Sequence, residues 1–366
     1  MTTIDELISS WQCDPLIAEN FASLTVQPQK DADFRRFPDD LDNRLRRTLN
    51  FSGIKELYSH QVKSWDYVRE GRNIVVTSGT ASGKTLCYNL PVLQAVLEEP
   101  ATRALYIFPT KALAQDQRSN LAQMVHRLNE INTLNDHRIL SAVYDGDTPA
   151  KDRAFIRGEA NIIISNPDML HMGIMPHHPR WIEFFSHLRF IVLDEIHVYR
   201  GLFGSHVANV IRRLKRIAAF YGSYPRFVMT SATIANPVEL AERLTEEKVS
   251  LISEDGSPKG KRYFILYNPP FINSELGLRK SVFSEADHLV GELLHQGIQT
   301  LLFTKTRRSV EVLLKTIRES HQLGSDSIRG YRSGYLAKER REIESGLRNG
   351  ETRAVVATNA LELGVD

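Results

Sequence analysis

One stretch constrains this chain more than any other: an apolar run that stops on a string of small residues and then opens a helix. Asn73-Ile74-Val75-Val76-Thr77 reads as a buried strand, and Ser78-Gly79-Thr80-Ala81-Ser82-Gly83-Lys84-Thr85 as a loop running into a helix start. Small residues let backbone N–H groups face an anion, and the first turn of the helix adds partial positive charge. In that geometry Lys84 reaches the β- and γ-phosphates of a nucleotide, and the Thr85 hydroxyl completes a Mg²⁺ shell. The pattern G-x-x-x-x-G-K-[ST] asks for glycine where Ser78 stands; Gly79, one place on, supplies the tight turn. An ordinary Gly/Ser strand-to-helix turn looks much the same over so few residues, so the rest of the chain decides.

Its 366 residues suffice for two domains of ordinary size, and 42% hydrophobic with 25% charged residues is the composition of a globular protein. A formal charge of +2, from 46 basic and 44 acidic side chains, neither requires nor forbids nucleic acid, because a groove can be basic while the whole is balanced. Cys13 and Cys87 are the only cysteines. They cannot build a disulfide framework or a four-cysteine zinc site, which favours a reducing compartment. The start lacks a basic and an apolar signal region, and no apolar run is long enough to span a bilayer. The expectation is a soluble, cytoplasmic protein without a membrane partner.

Residues 1–50 are polar with helical fragments and read as a mostly helical N-terminal extension. From 51 to 256, strand candidates at 73–77, 104–108, 139–144, 161–165, 190–193, 227–230 and 249–252 alternate with helical segments. Continuous apolar strands with helices between them imply an α/β fold with a parallel sheet covered on both faces, and ligands beyond the carboxyl ends of the strands. The polar stretch 254–261 suits a linker. From 257 to 366 the alternation resumes, with strands at 263–267, 300–304 and 354–358, as a second α/β domain.

Phe190-Ile191-Val192-Leu193 ends in Asp194 and Glu195. Asp194 is placed to hold Mg²⁺ through water and Glu195 to polarise an attacking water; the plainer alternative is two solvated carboxylates at a strand end. Ser231-Ala232-Thr233 follows another apolar strand, where hydroxyls are also common as helix caps. Six histidines between 171 and 206 fit no standard ligand spacing, and the basic run 212–216 reads as the solvated face of a helix.

The ordered set Gln61, Ser78–Thr85, Pro109-Thr110-Lys111, Asn166-Pro167-Asp168, Asp194-Glu195-Ile196-His197 and Ser231-Ala232-Thr233 resembles the superfamily 2 helicases. Within them the stretches at 77–85, 165–171, 197–210 and 331–336 resemble the MrfA (YprA-type) DExH-box DNA helicases. That resemblance covers about 51 to 366. It implies two RecA-like domains in tandem, ATP and Mg²⁺ as cofactors, single-stranded or partly duplex DNA as partner, 3′-to-5′ movement and a role in DNA repair.

Carried over by position, the catalytic set is Lys84, Asp194, Glu195 and His197. Gln61, 23 residues ahead of Lys84, matches the glutamine that reads the adenine edge, with Tyr58 as a stacking surface. Thr85 and Asp194 are the metal-holding pair. Ser231 and Thr233 would couple the ATP site to the DNA groove. Pro109, Thr110, Lys111, Asn166, Pro167 and Asp168 would hold the DNA backbone, which suits hydroxyls, amides and a lysine. In the second domain Thr304, Lys305, Arg307, Arg332, Ser333 and Thr358 would do likewise, while Gly364 and Asp366 would approach the nucleotide. The family pattern continues with a further arginine motif and a zinc-binding region that this sequence does not contain. The expectation is therefore a fragment whose second domain is incomplete. Two other readings stand beside a DNA helicase: a nucleotide-gated nucleic-acid-binding module with little turnover, and an RNA helicase or duplex translocase.

Overall fold

The computed structural model describes residues 3–79, 81–131, 137–321, 324, 327–358 and 361. It divides into two units, residues 30–259, and residues 1–29 together with 260–366.

The first unit is built on a seven-stranded, all-parallel sheet. Its strand order is Val249–Ile252, Asn73–Thr77, Arg226–Ser231, Leu188–Leu193, Arg103–Ile107, Ile162–Ser165, Ser141–Val143. Side chains alternate between faces along each strand, and here both faces are apolar. Ile74, Val76, Ala104, Tyr106, Ile162, Ile164, Phe190 and Val192 enter one core, shared with Trp65, Leu90, Leu93 and Leu121 from covering helices. Val75, Leu105, Ile107, Ile163, Ile191 and Leu193 enter the other, against Trp181, Phe184, Val207, Ile211 and Leu214. Burying one such side chain contributes about 1.5–3 kcal/mol, so this double core sets the sheet's order and register. Because every strand runs the same way, the residues that follow them gather along one edge: Ser78, Phe108, Asn166, Asp194, Ala232 and, a little further on, Asp255.

The second unit has a three-stranded parallel sheet among its described residues, with Ala354–Ala357 between Thr300–Phe303 and Ile328–Tyr331. Helices Val282–His295 and Arg307–His321 cover it with Val290, Leu294, Val310, Leu314 and Ile317.

Two segments lie elsewhere than their sequence pattern alone suggests. The strand Arg262–Tyr267 does not join the parallel sheet; it pairs antiparallel with Phe21–Gln27. Its alternation explains this: Tyr263, Ile265 and Tyr267 pack on Leu7, Ile8 and Trp11 of the helix Ile4–Cys13, while Phe264 and Leu266 stay exposed. That is the pattern of a half-buried antiparallel ribbon. The first 50 residues are accordingly shared out, since Phe37, Leu41, Leu45 and Leu49 join the core of the first sheet. Among the described residues no helix is long and apolar enough to cross a membrane.

Candidate functional site

The strand Asn73–Thr77 delivers the small-residue loop, and the helix Lys84–Glu98 leaves it. Ala81 and Gly83 both take left-handed backbone conformations, with φ of 55° and 74°. Alanine is strained there and glycine is not, and strain of this kind collects at ligand-binding turns. The loop is laced from within: Ser82 Oγ lies 2.6 Å from Ser78 Oγ and donates to the Gly79 carbonyl at 2.9 Å. Lys84 Nζ folds back on the Ser78 carbonyl, 3.4 Å away. Gln61 is buried, accepting from Tyr58 N–H (2.9 Å) and donating to the Gly83 carbonyl (3.0 Å), so it braces the loop from the side. Tyr58 stacks on Phe34 with ring centroids 5.2 Å apart. Thr80 lies outside the described residues, as do Gly364 and Asp366.

Across from the loop, Asp194 and Glu195 end the strand Leu188–Leu193. Asp194 is buried and accepts from the Thr230 hydroxyl and from Glu195 N–H (3.0 Å). Burial, then the charge of Glu195, push its carboxyl up to about 6. Glu195 takes a left-handed φ of 52° that turns its side chain toward Lys84, with Oε1 3.7 Å from Nζ. Burial pushes Glu195 up as well, but the His197 ring and the Lys84 ammonium more than offset it, and its net shift is downward. Of the two acids Glu195 is the one whose neighbours favour the charged form. His197 Nδ1 lies 3.2 Å from Ala232 N–H and 3.1 Å from Glu195 Oε2. It accepts from the first or donates to the second, according to its tautomer.

The contacts between this acid pair and the next strand end run through Thr230 and the Ala232 amide. Ser231 Oγ is buried without a hydrogen-bond partner among the described residues, while Thr230 touches Asp194 and the Ala232 amide touches His197. Thr85 donates to Gln117 Oε1 at 3.2 Å. Thr230 and Gln117 carry no motif pattern, and their contacts depend on strand pairing and helix packing. A hydroxyl one place before Ser-Ala-Thr was the only sequence signal for the first.

The expected DNA-holding residues of the first unit follow strands of the same sheet edge. Thr110 Oγ1 caps the following helix by accepting from Leu113 N–H at 3.3 Å, and Asn166 caps the next by accepting from Met169 N–H at 2.8 Å, with Pro167 at the first helical position and Asp168 in the first turn. Lys111, beside Pro109, is paired with Asp147 at 2.7 Å. In the second unit Thr304 and Thr358 follow adjacent parallel strands; Thr304 N–H donates to the Ala357 carbonyl at 2.8 Å and Thr358 N–H to the Tyr331 carbonyl at 3.1 Å. Arg307 Nε donates to Ser333 Oγ at 3.0 Å, and Arg332, bonded to Glu311 at 2.7 Å, lies over the Tyr335 ring. Lys305 sits between Thr304 and Arg307 at that edge.

A phosphate-type loop beside an Asp-Glu strand end, on a parallel sheet and followed by a second parallel α/β sheet, defines a tandem RecA-like protein of the superfamily 2 helicase class. The family description DEAD/DEAH box helicase matches residues 58–241, and helicase conserved C-terminal domain matches residues 284–366. The chain belongs to the DEAD/DEAH box helicase family, as a member of its MrfA/YprA type. It is 49% identical over 366 residues to the uncharacterized ATP-dependent helicase YprA of Bacillus subtilis, covering 100% of this chain and 47% of YprA. It is 39% identical over 350 residues to the ATP-dependent helicase hrq1 of Schizosaccharomyces pombe, covering 93% of this chain and 32% of hrq1. The crystal structure of the DUF1998 helicase MrfA bound to DNA and AMPPNP superposes with a TM-score of 0.92 at 48% identity, covering 100% of this chain and 50% of that one. The chain thus spans half or less of the length of these relatives.

Proposed function

We propose that this chain is the motor portion of an ATP-dependent DNA helicase that moves 3′ to 5′ in DNA repair, in a cytoplasmic setting. The observation that carries the motor reading is the convergence of Lys84, Asp194, Glu195 and His197 at one sheet edge, with Glu195 lying between the Lys84 ammonium and the His197 ring. Two relatives named above support it: YprA is called an ATP-dependent helicase, and MrfA has been crystallised with DNA and an ATP analogue.

Backbone amides of the loop and the start of the helix Lys84–Glu98 would bind the phosphates of ATP, and Lys84 would swing from the Ser78 carbonyl to the terminal phosphates. Asp194 and Thr85 offer the carboxylate and hydroxyl oxygens that a hard divalent cation takes, and the strain of a buried charge on Asp194 fits such a neighbour. Mg²⁺ held there would neutralise developing charge on the phosphates. Glu195 would orient a water and take its proton, and His197 would set the charge around Glu195 while reporting to the Ala232 amide. Thr110, Lys111, Asn166, Thr304, Lys305, Arg307, Arg332, Ser333 and Thr358 would grip the sugar-phosphate backbone, which carries affinity without sequence choice.

Glu195→Gln keeps shape and burial while removing the base. The expected outcome is ATP binding at wild-type affinity with hydrolysis slowed by roughly 10²–10⁴-fold, the range for a lost general base. Wild-type turnover in that variant removes Glu195 from the mechanism.

A further inference from the structure

The turn Asp255-Gly256-Ser257 follows the last strand of the first sheet, in a stretch whose composition suggests only a linker, yet all three residues are buried. Asp255 Oδ2 accepts from Gly79 N–H at 3.2 Å and lies 3.2 Å from Lys259 Nζ. Its Oδ1 accepts from Ser257 N–H at 3.0 Å and from the Ser257 hydroxyl at 2.6 Å. One carboxylate thus ties the turn to the beginning of the phosphate-type loop.

The neighbouring glycine ties the same turn to the far end of that loop. Gly256 N–H donates to His60 Nδ1 at 3.2 Å, and its carbonyl accepts from Asp33 N–H at 2.8 Å. A Cβ at Gly256 would come within 2.9 Å of the Ser59 backbone nitrogen and 3.2 Å of the Asp33 carbonyl, so a side chain there has to displace backbone. Ser59 and His60 begin the helix Ser59–Arg69, which carries Gln61, and Gln61 donates to Gly83 at the close of the loop. The contact at Gly83 is equally tight, since a Cβ there would sit 2.6 Å from Gln61 Nε2. The loop is therefore clasped at Gly79 and at Gly83 by two arms that meet in one turn.

We propose that Asp255 is a positioning residue for nucleotide binding, holding the loop's base at Gly79 and, through Gly256, the Tyr58–Gln61 segment in the arrangement the nucleotide needs. The inference rests on the nucleotide-site reading above and adds a residue to it. The donors around Asp255 also keep it charged: burial pushes its carboxyl up, but Ser257, Gly79 and Lys259 outweigh this and bring it down to about 2. A loop already fixed in its binding shape loses less freedom when the phosphates arrive, so the effect belongs to affinity.

The test is nucleotide affinity, read with fluorescent ADP, together with KM and kcat for ATP, in Asp255→Asn, Gly256→Ala and Lys84→Ala. Asparagine keeps the size and an acceptor for Ser257 but turns an NH₂ group toward Gly79 N–H. A hydrogen bond to a charged group is worth about a tenfold change, so Asp255→Asn should raise the ADP Kd and the ATP KM by about tenfold at unchanged kcat. Gly256→Ala should raise KM with Asp255 intact, and it carries the test if the first variant does not fold. Lys84→Ala separates the two claims. Wild-type binding that Lys84→Ala abolishes establishes the site, and wild-type Kd and KM in Asp255→Asn, or in Gly256→Ala where that variant stands alone, then overturn the inference. A fall in kcat at unchanged KM overturns it too. A wild-type chain that binds no nucleotide defeats the site reading, and the inference with it.

Discussion

Asp194 and Glu195 are adjacent acids that their surroundings drive apart, one upward through burial and its neighbour's charge, the other downward through His197 and Lys84. The two carboxyls thus sit in different electrostatic environments although they are neighbours in the chain. Asp255 illustrates the opposite case, a buried carboxylate made comfortable by its donors. Its carboxyl is held at about 2 against an ordinary 3.8, so the unfolded chain takes up its proton first as pH falls. Its stabilising share is complete above the unfolded value and disappears as pH drops through the folded one. Urea unfolding of wild type and Asp255→Asn should show a stability gap that is constant above about pH 5 and shrinks below about pH 4; a gap that does not change with pH would refute this. At this scale the sequence showed Lys84, Thr85, Asp194, Glu195 and His197, because the motif ties each residue type to a backbone position. The contacts of Thr230, Gln117 and Asp255 were not legible, because each is a hydrogen bond to a distant segment, that of Asp255 to a glycine 176 positions away.

At the scale of elements, the edge formed by the carboxyl ends of the parallel strands is what assembles the site. The strand segments were legible because two apolar faces leave continuous apolar runs, and Asn73–Thr77 and Val249–Ile252 were found to the residue. The pairing of Arg262–Tyr267 was not, because a short alternating run does not say which strand completes it. One loop on the edge carries a contact of its own: Asp147 holds Lys111 at 2.7 Å in an exposed ion pair. Exposed pairs are worth about 0–1 kcal/mol, so a DNA phosphate can displace the aspartate at small cost. Asp147→Ala should tighten single-stranded DNA binding by about threefold, and Lys111→Ala should weaken it while reducing the salt slope by about 0.7. Fluorescence anisotropy over a salt series measures both, and unchanged affinity and slope in Lys111→Ala would take that residue off the DNA path.

At the scale of the whole molecule, the chain carries two parallel α/β units, each presenting phosphate-suited groups at its strand ends. Acid chemistry is concentrated in the first, and hydroxyls with arginines in the second. Domain count and the α/β class were legible because alternating strands and helices leave few architectures open. The exact partition was not, since residues 1–29 join the second unit through pairing that no local pattern encodes. We propose above that these parts make an ATP-driven motor on DNA. The most direct measurement is ATP hydrolysis by this chain with single-stranded DNA, with single-stranded RNA and with neither. The expected result is turnover stimulated by DNA above the other two. Equal rates in all three conditions, or stimulation by RNA alone, would contradict it.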